Sequence, residues 1–441
     1  MKVLLLGGGG REHAIGWKIA ASPQLTALIS APGNPGLSQL GEVVPDVDPT
    51  DVAGVTDLAT SRQIDLVVVG PEAPLAAGMV DGLTAASIPT FGPTAAAARL
   101  ESSKSFAKEV MRRAAVPTAA SATFTVLAEV ESHLESVPAP YVVKADGLAA
   151  GKGVLVTDDL AAAKAWARAC FAGAFGASGE SVVVEDHLAG REVSVFAVCD
   201  GDKAMAFEPA RDYKRLGDGD TGPNTGGMGC FSPVDDLPPR LVADVMDRVV
   251  APVMETLAGD GTPYRGFLYA GLVLTADGPK VLEFNCRLGD PETQVVLPRL
   301  EDDLLPLLAG AADGGLPAES LRWSGRAAVD VVLASQGYPE SPETGRAISG
   351  LDLLEGSADL LVFHGGTRVT PSGPVTAGGR VLNVVGLGAN VAEARSVAYA
   401  AADRIEFAGK TYRRDIAGEW SARPAGQAGE QMRDRGGSAA T

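Results

Sequence analysis

An apolar run, Lys2–Leu6, ends in four consecutive glycines, Gly7–Gly10, and a helical pattern starts near Arg11. This order leaves few folds open. A buried strand that stops at glycines and turns straight into a helix is the first half of a βαβ unit. Further apolar runs at Leu25–Ser30 and Asp65–Val69 each precede a loop and an Ala-rich helical stretch. The first hundred residues are therefore expected to form a parallel sheet with ligand loops at the C-terminal ends of its strands. Three loops stand there: Gly7–Gly10, Ala31–Gly36 (APGNPG) and Gly70–Pro74 (GPEAP). The first can bring backbone N–H groups to an anion at a helix N-terminus, or it is a tight turn with no ligand. It is not a dinucleotide fingerprint, because the G-x-G-x-x-G frame from Gly7 puts Glu12 where the third glycine belongs. Pro89–Pro93 reads as a boundary, which sets an N-terminal domain at 1–100.

The 441 residues leave room for two to four domains. A net charge of −18 from 37 basic and 55 acidic side chains repels a phosphate backbone, and no basic patch offsets it, so nucleic acid is not an expected partner. No stretch approaches the ~18 apolar residues of a membrane span, and MKVLLL is too short for a signal peptide. The expectation is a cytoplasmic protein with no membrane partner. Cys170, Cys199, Cys230 and Cys286 are far apart without a C-x-x-C, as are His13, His133, His187 and His364. Neither a zinc site nor a disulfide framework is expected.

Four later segments carry chemistry. Tyr141–Val156, YVVKADGLAAGKGVLV, offers Lys144 on a strand and then a loop with Gly147, Gly151, Lys152 and Gly153. A strand lysine beside a glycine flap suits triphosphate binding, and a plain hairpin is the alternative; it is not a Walker motif. Lys104, opening a helix within Thr94–Ala115, could add a second cation. Ser181–Glu185 is an apolar strand ending in Glu-Asp-His-Leu, with Glu192 further on. Such an end suits an adenine edge and ribose hydroxyls, and a solvated acidic turn suits it equally. The polar, glycine-rich Arg211–Gly229 reads as a loop around a charged substrate, with Asp212, Lys214 and Arg215, or as a free surface loop. In Lys280–Gln294, KVLEFNCRLGDPETQ, alternation along a strand puts Glu283 and Asn285 on one face, about 7 Å apart at the backbone. One carboxylate and one amide oxygen can grip magnesium together with phosphate oxygens. Arg287, Asp290 and Glu292 follow at once, and Cys286 falls on the other face as a packing residue. Gly266–Thr275 with Lys280–Asn285 reads as a hairpin, and Leu241–Leu257 as a helix. Ala327–Ala334, Leu360–His364 and Arg380–Leu387 read as strands of a C-terminal domain.

In this order these segments resemble the ATP-grasp ligases. Within them they resemble the branch that joins glycine to 5-phosphoribosylamine in purine synthesis. The resemblance rests on GGGGREHAIGWKIA, APGNPG, VVGPEAPLAAGMVDGL, KADGLAAGKGV, GDGDTGPNTGGMG and EFNCRLGDPETQ. It implies a multidomain α/β and α+β protein with a Rossmann-like preATP-grasp domain at 1–100. A two-lobed ATP-grasp unit would follow at 101–320 with its flap lobe near 117–190, then a small β-rich C-terminal domain at 321–420; the segment 421–441 has almost no apolar content and is for that reason expected to be a disordered tail. ATP would lie between the lobes, on Lys104 and Lys144, under the Gly147–Gly153 lid with Lys152, and against Glu185, Leu188 and Glu192. Glu283 and Asn285 would hold Mg²⁺ or Mn²⁺. Arg287, Asp290, Asp212 and Lys214 would act on the reacting groups. Substrate contacts would come from Gly9, Gly10, Arg11, Glu12, Gly33, Asn34, Arg215, Thr225, Gly226, Gly227, Pro291 and Glu292. The implied enzyme is a monomer making glycinamide ribonucleotide through a glycyl phosphate.

Two departures stand out. Arg211 and Tyr213 occupy places where the branch has Gln and His, and Leu288 replaces the usual Phe. The rival readings are an ATP-grasp enzyme for another carboxylate, a nucleotide-sensing protein without catalysis, and a nicotinamide oxidoreductase.

Overall fold

The computed structural model describes residues 1–149, 153–317, 320–354 and 356–421. The N-terminal apolar runs become β1 (Lys2–Gly7), β2 (Ala27–Pro32), β3 (Glu42–Val43), β4 (Leu66–Val69) and β5 (Thr90–Phe91). They form one parallel sheet in the order β3-β2-β1-β4-β5. Val3–Leu6 are fully buried, as the central strand of a sheet covered on both faces must be. The Pro89–Pro93 punctuation holds the edge strand β5, so the sheet closes inside the segment read as a boundary.

The flap lobe contains β6 (Ser121–Phe124), β7 (Tyr141–Ala145), β8 (Val154–Thr157) and β9 (Val182–Glu185), antiparallel in the order β6-β9-β7-β8. Val143 and Ala145 pack with Val130, Leu134, Ala163 and Ala167 of helices Leu127–Ser136 and Leu160–Phe171. Alternation therefore turns Lys144, between them, away from those helices.

The second lobe holds β10 (Arg191–Asp200), β11 (Ala204–Ala206), β16 (Arg265–Thr275) and β17 (Gly278–Asn285) in the order β11-β10-β16-β17. Between β11 and β16 the chain forms β12 (Arg211–Asp212), β13 (Arg215–Gly217), β14 (Thr221–Asn224) and β15 (Gly229–Ser232). The segment read as a loop is thus a hairpin ribbon whose glycines and aspartates form the turns. Its base, β12 and β15, joins the C-terminal sheet, β12-β15-β18-β22-β19. The other members of that sheet are β18 (Ala327–Ala334), β19 (Leu360–His364) and β22 (Arg380–Gly388), as the apolar runs predict. Helix Val391–Ala402 covers one face. Among the described residues no helix is long and apolar enough to cross a membrane.

The N-terminal and C-terminal domains meet at His13 and His364, both buried. His13 Nδ1 accepts the His364 backbone N–H at 2.8 Å, and the His13 ring meets Phe363 edge-on at 5.3 Å. Burial, with each ring near the other, pushes His13 down to about 3, and burial alone takes His364 to about 4. Both rings are therefore neutral in the folded chain, and the unfolded chain takes up more protons below pH 6.5. Stability is fully present above that value and falls as pH drops below it, by about 2 kcal/mol per ring at pH 5. Urea denaturation at pH 5 and 7.5 measures this. The pH slope should shrink by about half in His13→Gln, and an unchanged slope excludes His13 as a source.

Candidate active site

The flap sheet and helix Lys104–Arg113 together bring a lysine cluster to the cleft. Lys144, almost fully buried, donates to Glu185 Oε2 at 2.9 Å, and Lys108 reaches the same oxygen at 3.3 Å. Lys104 opens helix Lys104–Arg113, where Ser103 accepts the Phe106 N–H as the cap. Its ammonium donates to Gly147 O at 2.9 Å, which ties the helix to the start of the flap loop. Gly153 ends that loop against Ala149, while Gly151 and Lys152 lie outside the described residues. Leu188 is half-buried beyond β9, and Glu192 on β10 pairs with Lys214 Nζ at 2.7 Å. Lys108 is a residue the sequence reading missed; its only signal is its place one helical turn after Lys104.

Opposite stands β17. The β16–β17 register slips between Gly271, which faces Glu283, and Leu272, which faces Val281, so Leu282 is an extra residue in the strand. Without that bulge Glu283 and Asn285 would share a face with Val281, which is fully buried. The bulge reverses the alternation. Val281, Phe284 and Cys286 pack in the core, while Glu283 and Asn285 stay half-buried on the cleft side. Burial alone would raise the Glu283 carboxyl, but Lys214, Lys144, Lys104 and Arg287 together hold it below the usual carboxylate range. Lys104 is itself lowered by burial, against the pull of Glu283. A carboxylate kept charged beside a carboxamide is a hard two-oxygen donor set. Among the described residues no cluster of three or more His, Cys, Asp or Glu could cage a metal. The pair therefore fits a small divalent cation that brings further oxygen ligands from water or phosphate.

Arg287 bridges to the N-terminal domain. It pairs with Glu72 at 3.2 Å and Glu101 at 2.9 Å, and Glu101 also accepts the Cys286 N–H at 2.7 Å. Burial opposes the Glu72 charge, yet Arg287 and Arg11 bring it down to about 2. Burial and Glu72 push Glu101 up despite Arg287. Neither glutamate was read as a site residue. Glu72 opens a short helix inside the GPEAP segment read as a loop, and Glu101 stands at the end of another helix, positions that mean nothing until the domains meet. Cys286 is buried and its thiol is pushed up by burial, as befits a packing residue.

The third wall gathers the N-terminal loops, the ribbon and the C-terminal sheet. Glu12 accepts the Gly9 N–H at 2.8 Å and pairs with Arg11 at 2.6 Å; Arg11 also donates to Leu288 O. Asn34 donates to Gly8 O and His364 O and accepts the Leu37 N–H, following Gly33 at φ +69°. Any side chain on Gly10 would collide with Asn383 and Gln294. Gln294 donates to Asp290 Oδ1 at 2.7 Å, and Arg380 pairs with Asp290 Oδ2 at 3.1 Å. Arg380 also donates to the Asp290 and Gly226 carbonyls, and the Gly226 N–H donates to the Tyr338 hydroxyl. Thr225 holds Lys214 O and the Gly227 N–H, and Gly227 lies against Pro291 and Asp212. Ser194 donates to buried Glu292 at 3.1 Å. Burial and Glu292 push the Asp212 carboxyl well up, against Lys214 and Arg380. Burial works against the Lys214 ammonium, but Glu192, Tyr269, Glu283 and Asp212 keep it protonated well above the usual lysine range. Arg215 donates to Gly222 O within the ribbon. Arg380, Tyr338, Gln294, Asn383 and buried Asp330 were also missed. A signal existed for two of them: Asp330 in AAVDVVLA and Asn383 in RVLNVVGLG are lone polar residues inside buried apolar strands.

The family model described as phosphoribosylglycinamide synthetase matches in three parts: its N domain at residues 1–101, its ATP-grasp (A) domain at 102–293 and its C domain at 328–419. The chain is 51% identical over 416 residues to a phosphoribosylamine–glycine ligase of Mesorhizobium japonicum, covering 94% of this chain and 97% of that one. It is 52% identical over 420 residues to one of Streptomyces coelicolor, covering 95% and 99%. A crystal structure of phosphoribosylamine–glycine ligase from Thermotoga maritima superposes with a TM-score of 0.82 at 36% identity, over 95% of this chain and 100% of that one. A biotin carboxylase from Campylobacter jejuni has a TM-score of 0.73 at 15% identity, over 93% and 92%, a likeness of fold alone.

Proposed function

This chain belongs to the phosphoribosylglycinamide synthetase family, and from that premise we propose that it is an ATP-dependent ligase making glycinamide ribonucleotide for purine synthesis. The reaction is ATP + glycine + 5-phosphoribosylamine → ADP + phosphate + glycinamide ribonucleotide. The glycine carboxylate takes the γ-phosphoryl group, and the ribosylamine nitrogen then displaces phosphate from glycyl phosphate. The observation that carries the reading is the family match in all three parts of the chain, and the cations Lys104, Lys144, Lys214 and Arg287 that act on Glu283 suit it. Phosphoryl transfer asks mainly for positioning and charge neutralisation, and needs no protein nucleophile.

Lys104 and Lys144 are assigned to the phosphates, under the flap loop of Gly147, Gly151, Lys152 and Gly153. The Glu185 carboxylate is engaged by two lysines. Glu185, with Leu188 and Glu192, is assigned to adenine and ribose, the Glu192 carboxylate being likewise shared with Lys214. Glu283 and Asn285 would hold Mg²⁺ or Mn²⁺, which when bound neutralises phosphate oxygens. Arg287, Asp290, Asp212 and Lys214 are assigned to the reacting carboxylate and amine. The remaining contacts fall to Gly9–Glu12, Gly33, Asn34, Arg215, Thr225–Gly227, Pro291 and Glu292. Action as a monomer is part of the same proposal, and the metabolic role supports a cytoplasmic location.

The test is ADP release with magnesium, glycine and freshly generated 5-phosphoribosylamine, omitting each in turn. ADP should form only in the complete mixture, with one glycinamide product per ADP. Formation that does not depend on glycine or on the ribosylamine refutes the substrate assignment. Manganese in place of magnesium should sustain turnover, and chelator should abolish it.

A further inference from the structure

Residues of the ribbon alternate between two jobs. Asp212 and Lys214 face the cleft, while Arg211 and Tyr213 turn to the end of the C-terminal domain. Arg211 pairs with Glu419 at 2.6 Å, and the Tyr213 hydroxyl accepts the Ala417 N–H at 3.0 Å. The exposed tip of the ribbon, Asp218–Asp220, is held by the same segment. Arg414 N–H donates to Asp218 at 2.7 Å, Gly219 N–H donates to Asp415 at 2.8 Å, and Arg413 pairs with Asp220 at 2.7 Å. Arg413 is at the centre of this clasp. Its side chain is 1% exposed, forks onto both Asp415 oxygens at 2.7 and 2.6 Å, and donates to Arg215 O at 3.1 Å. Its guanidinium also lies 4.9 Å from the Tyr213 ring centre.

A glycine-rich hairpin with an exposed tip has many conformations open to it, and each free residue costs entropy to fix when substrate binds. A planar guanidinium joined to the tip, to the backbone beside Lys214 and to a fixed aspartate removes that freedom beforehand. We propose that Arg413 is a positioning residue that sets the ribbon, and through it Lys214 and Asp212, for the acceptor half of the reaction. The inference rests on the ligase reading above. Arg413 touches no reacting atom; it acts through the backbone of Arg215 and the ring of Tyr213. The clasp also gives Tyr213 a partner outside the cleft, so its difference from the family's usual residue need not alter substrate contacts.

The test compares Arg413→Met, Arg413→Lys and Asp220→Asn with the wild type, by steady-state kinetics and by amide exchange across residues 213–228. A small misplacement of acting groups costs about 10²-fold. Arg413→Met should lower kcat/KM for 5-phosphoribosylamine by about that factor. KM for ATP should change by a smaller factor, since its phosphate lysines stand on other elements and the Glu192–Lys214 pair is the described link between that site and the ribbon. Arg413→Lys, which keeps one ion pair and loses the fork, should recover part of the loss. Asp220→Asn leaves the core untouched, since Asp220 is 67% exposed, and should show a smaller fall with faster exchange at the tip. If Arg413→Met does not fold, Asp220→Asn decides, and wild-type kinetics with wild-type exchange overturn the proposal. Equal losses for all three substrates also overturn it. Should the wild type make no glycinamide product, the ligase reading fails on that control. Exchange then decides the positioning, and unchanged exchange in the variants refutes it.

Discussion

Replacing Glu283 with alanine is expected to lower turnover by at least about 10³-fold while leaving the fold intact. The carboxylate stands where Lys214, Lys144, Lys104 and Arg287 act together, and those cations keep it ionised in spite of burial. Its removal takes away one of two oxygen donors proposed for the divalent cation and leaves the four cations facing each other. The loss should therefore appear in kcat and in the magnesium dependence together. The backbone pairing of Glu283 with Gly271 does not need the side chain, so circular dichroism should be unchanged. Glu283→Gln should behave almost as badly, because the amide keeps the shape but not the charge. Near-wild-type turnover in either variant would remove Glu283 from the metal site. A normal magnesium dependence with low kcat would instead make it an electrostatic partner of the lysines.

The second large effect is expected at Arg287, where function and stability can be separated. Arg287→Met removes the shared partner of Glu72 and Glu101. Breaking a buried pair by deleting one partner costs about 3–5 kcal/mol, because the other charge stays buried. Glu101, already pushed up by burial and Glu72, can limit that cost by taking a proton. Adding Glu101→Gln should therefore return much of the stability, read by urea denaturation, without returning activity. Activity should stay about 10²–10³-fold down in both, as for loss of one group that neutralises developing charge. If the double variant regains activity along with stability, Arg287 only holds the domains together.

The residues proposed for the chemistry could be picked out together because they are neighbours in sequence. Lys144 and the flap glycines lie within ten residues of sequence, and Glu283, Asn285, Arg287 and Asp290 within eight. Strands of period two and apolar runs read directly from the residues, and the βαβ start, the β16–β17 hairpin and the three C-terminal strands formed as expected. The ribbon was harder. Arg211–Gly229 has the composition of a loop, yet its backbone pairs with β18 through β15, an interaction between residues about 100 apart that composition does not encode. Leu282 shows the same limit on a smaller scale. Nothing in KVLEFN marks a bulge, and the cleft face of Glu283 depends on one.

From the sequence alone came the kinds of group and their local order: glycine turns, a lysine strand, an acid and amide pair, and a polar, glycine-rich segment read as a loop. Those follow from backbone sterics and side-chain periodicity, which act over a few residues. Which groups meet was decided only by tertiary structure. Glu72 and Glu101 reach Arg287, Arg380 reaches Asp290 and Gly226, and Arg413 reaches Asp220, because elements far apart in the chain pack against one another. Charge interactions depend on distance through space, and distance along the chain does not report it.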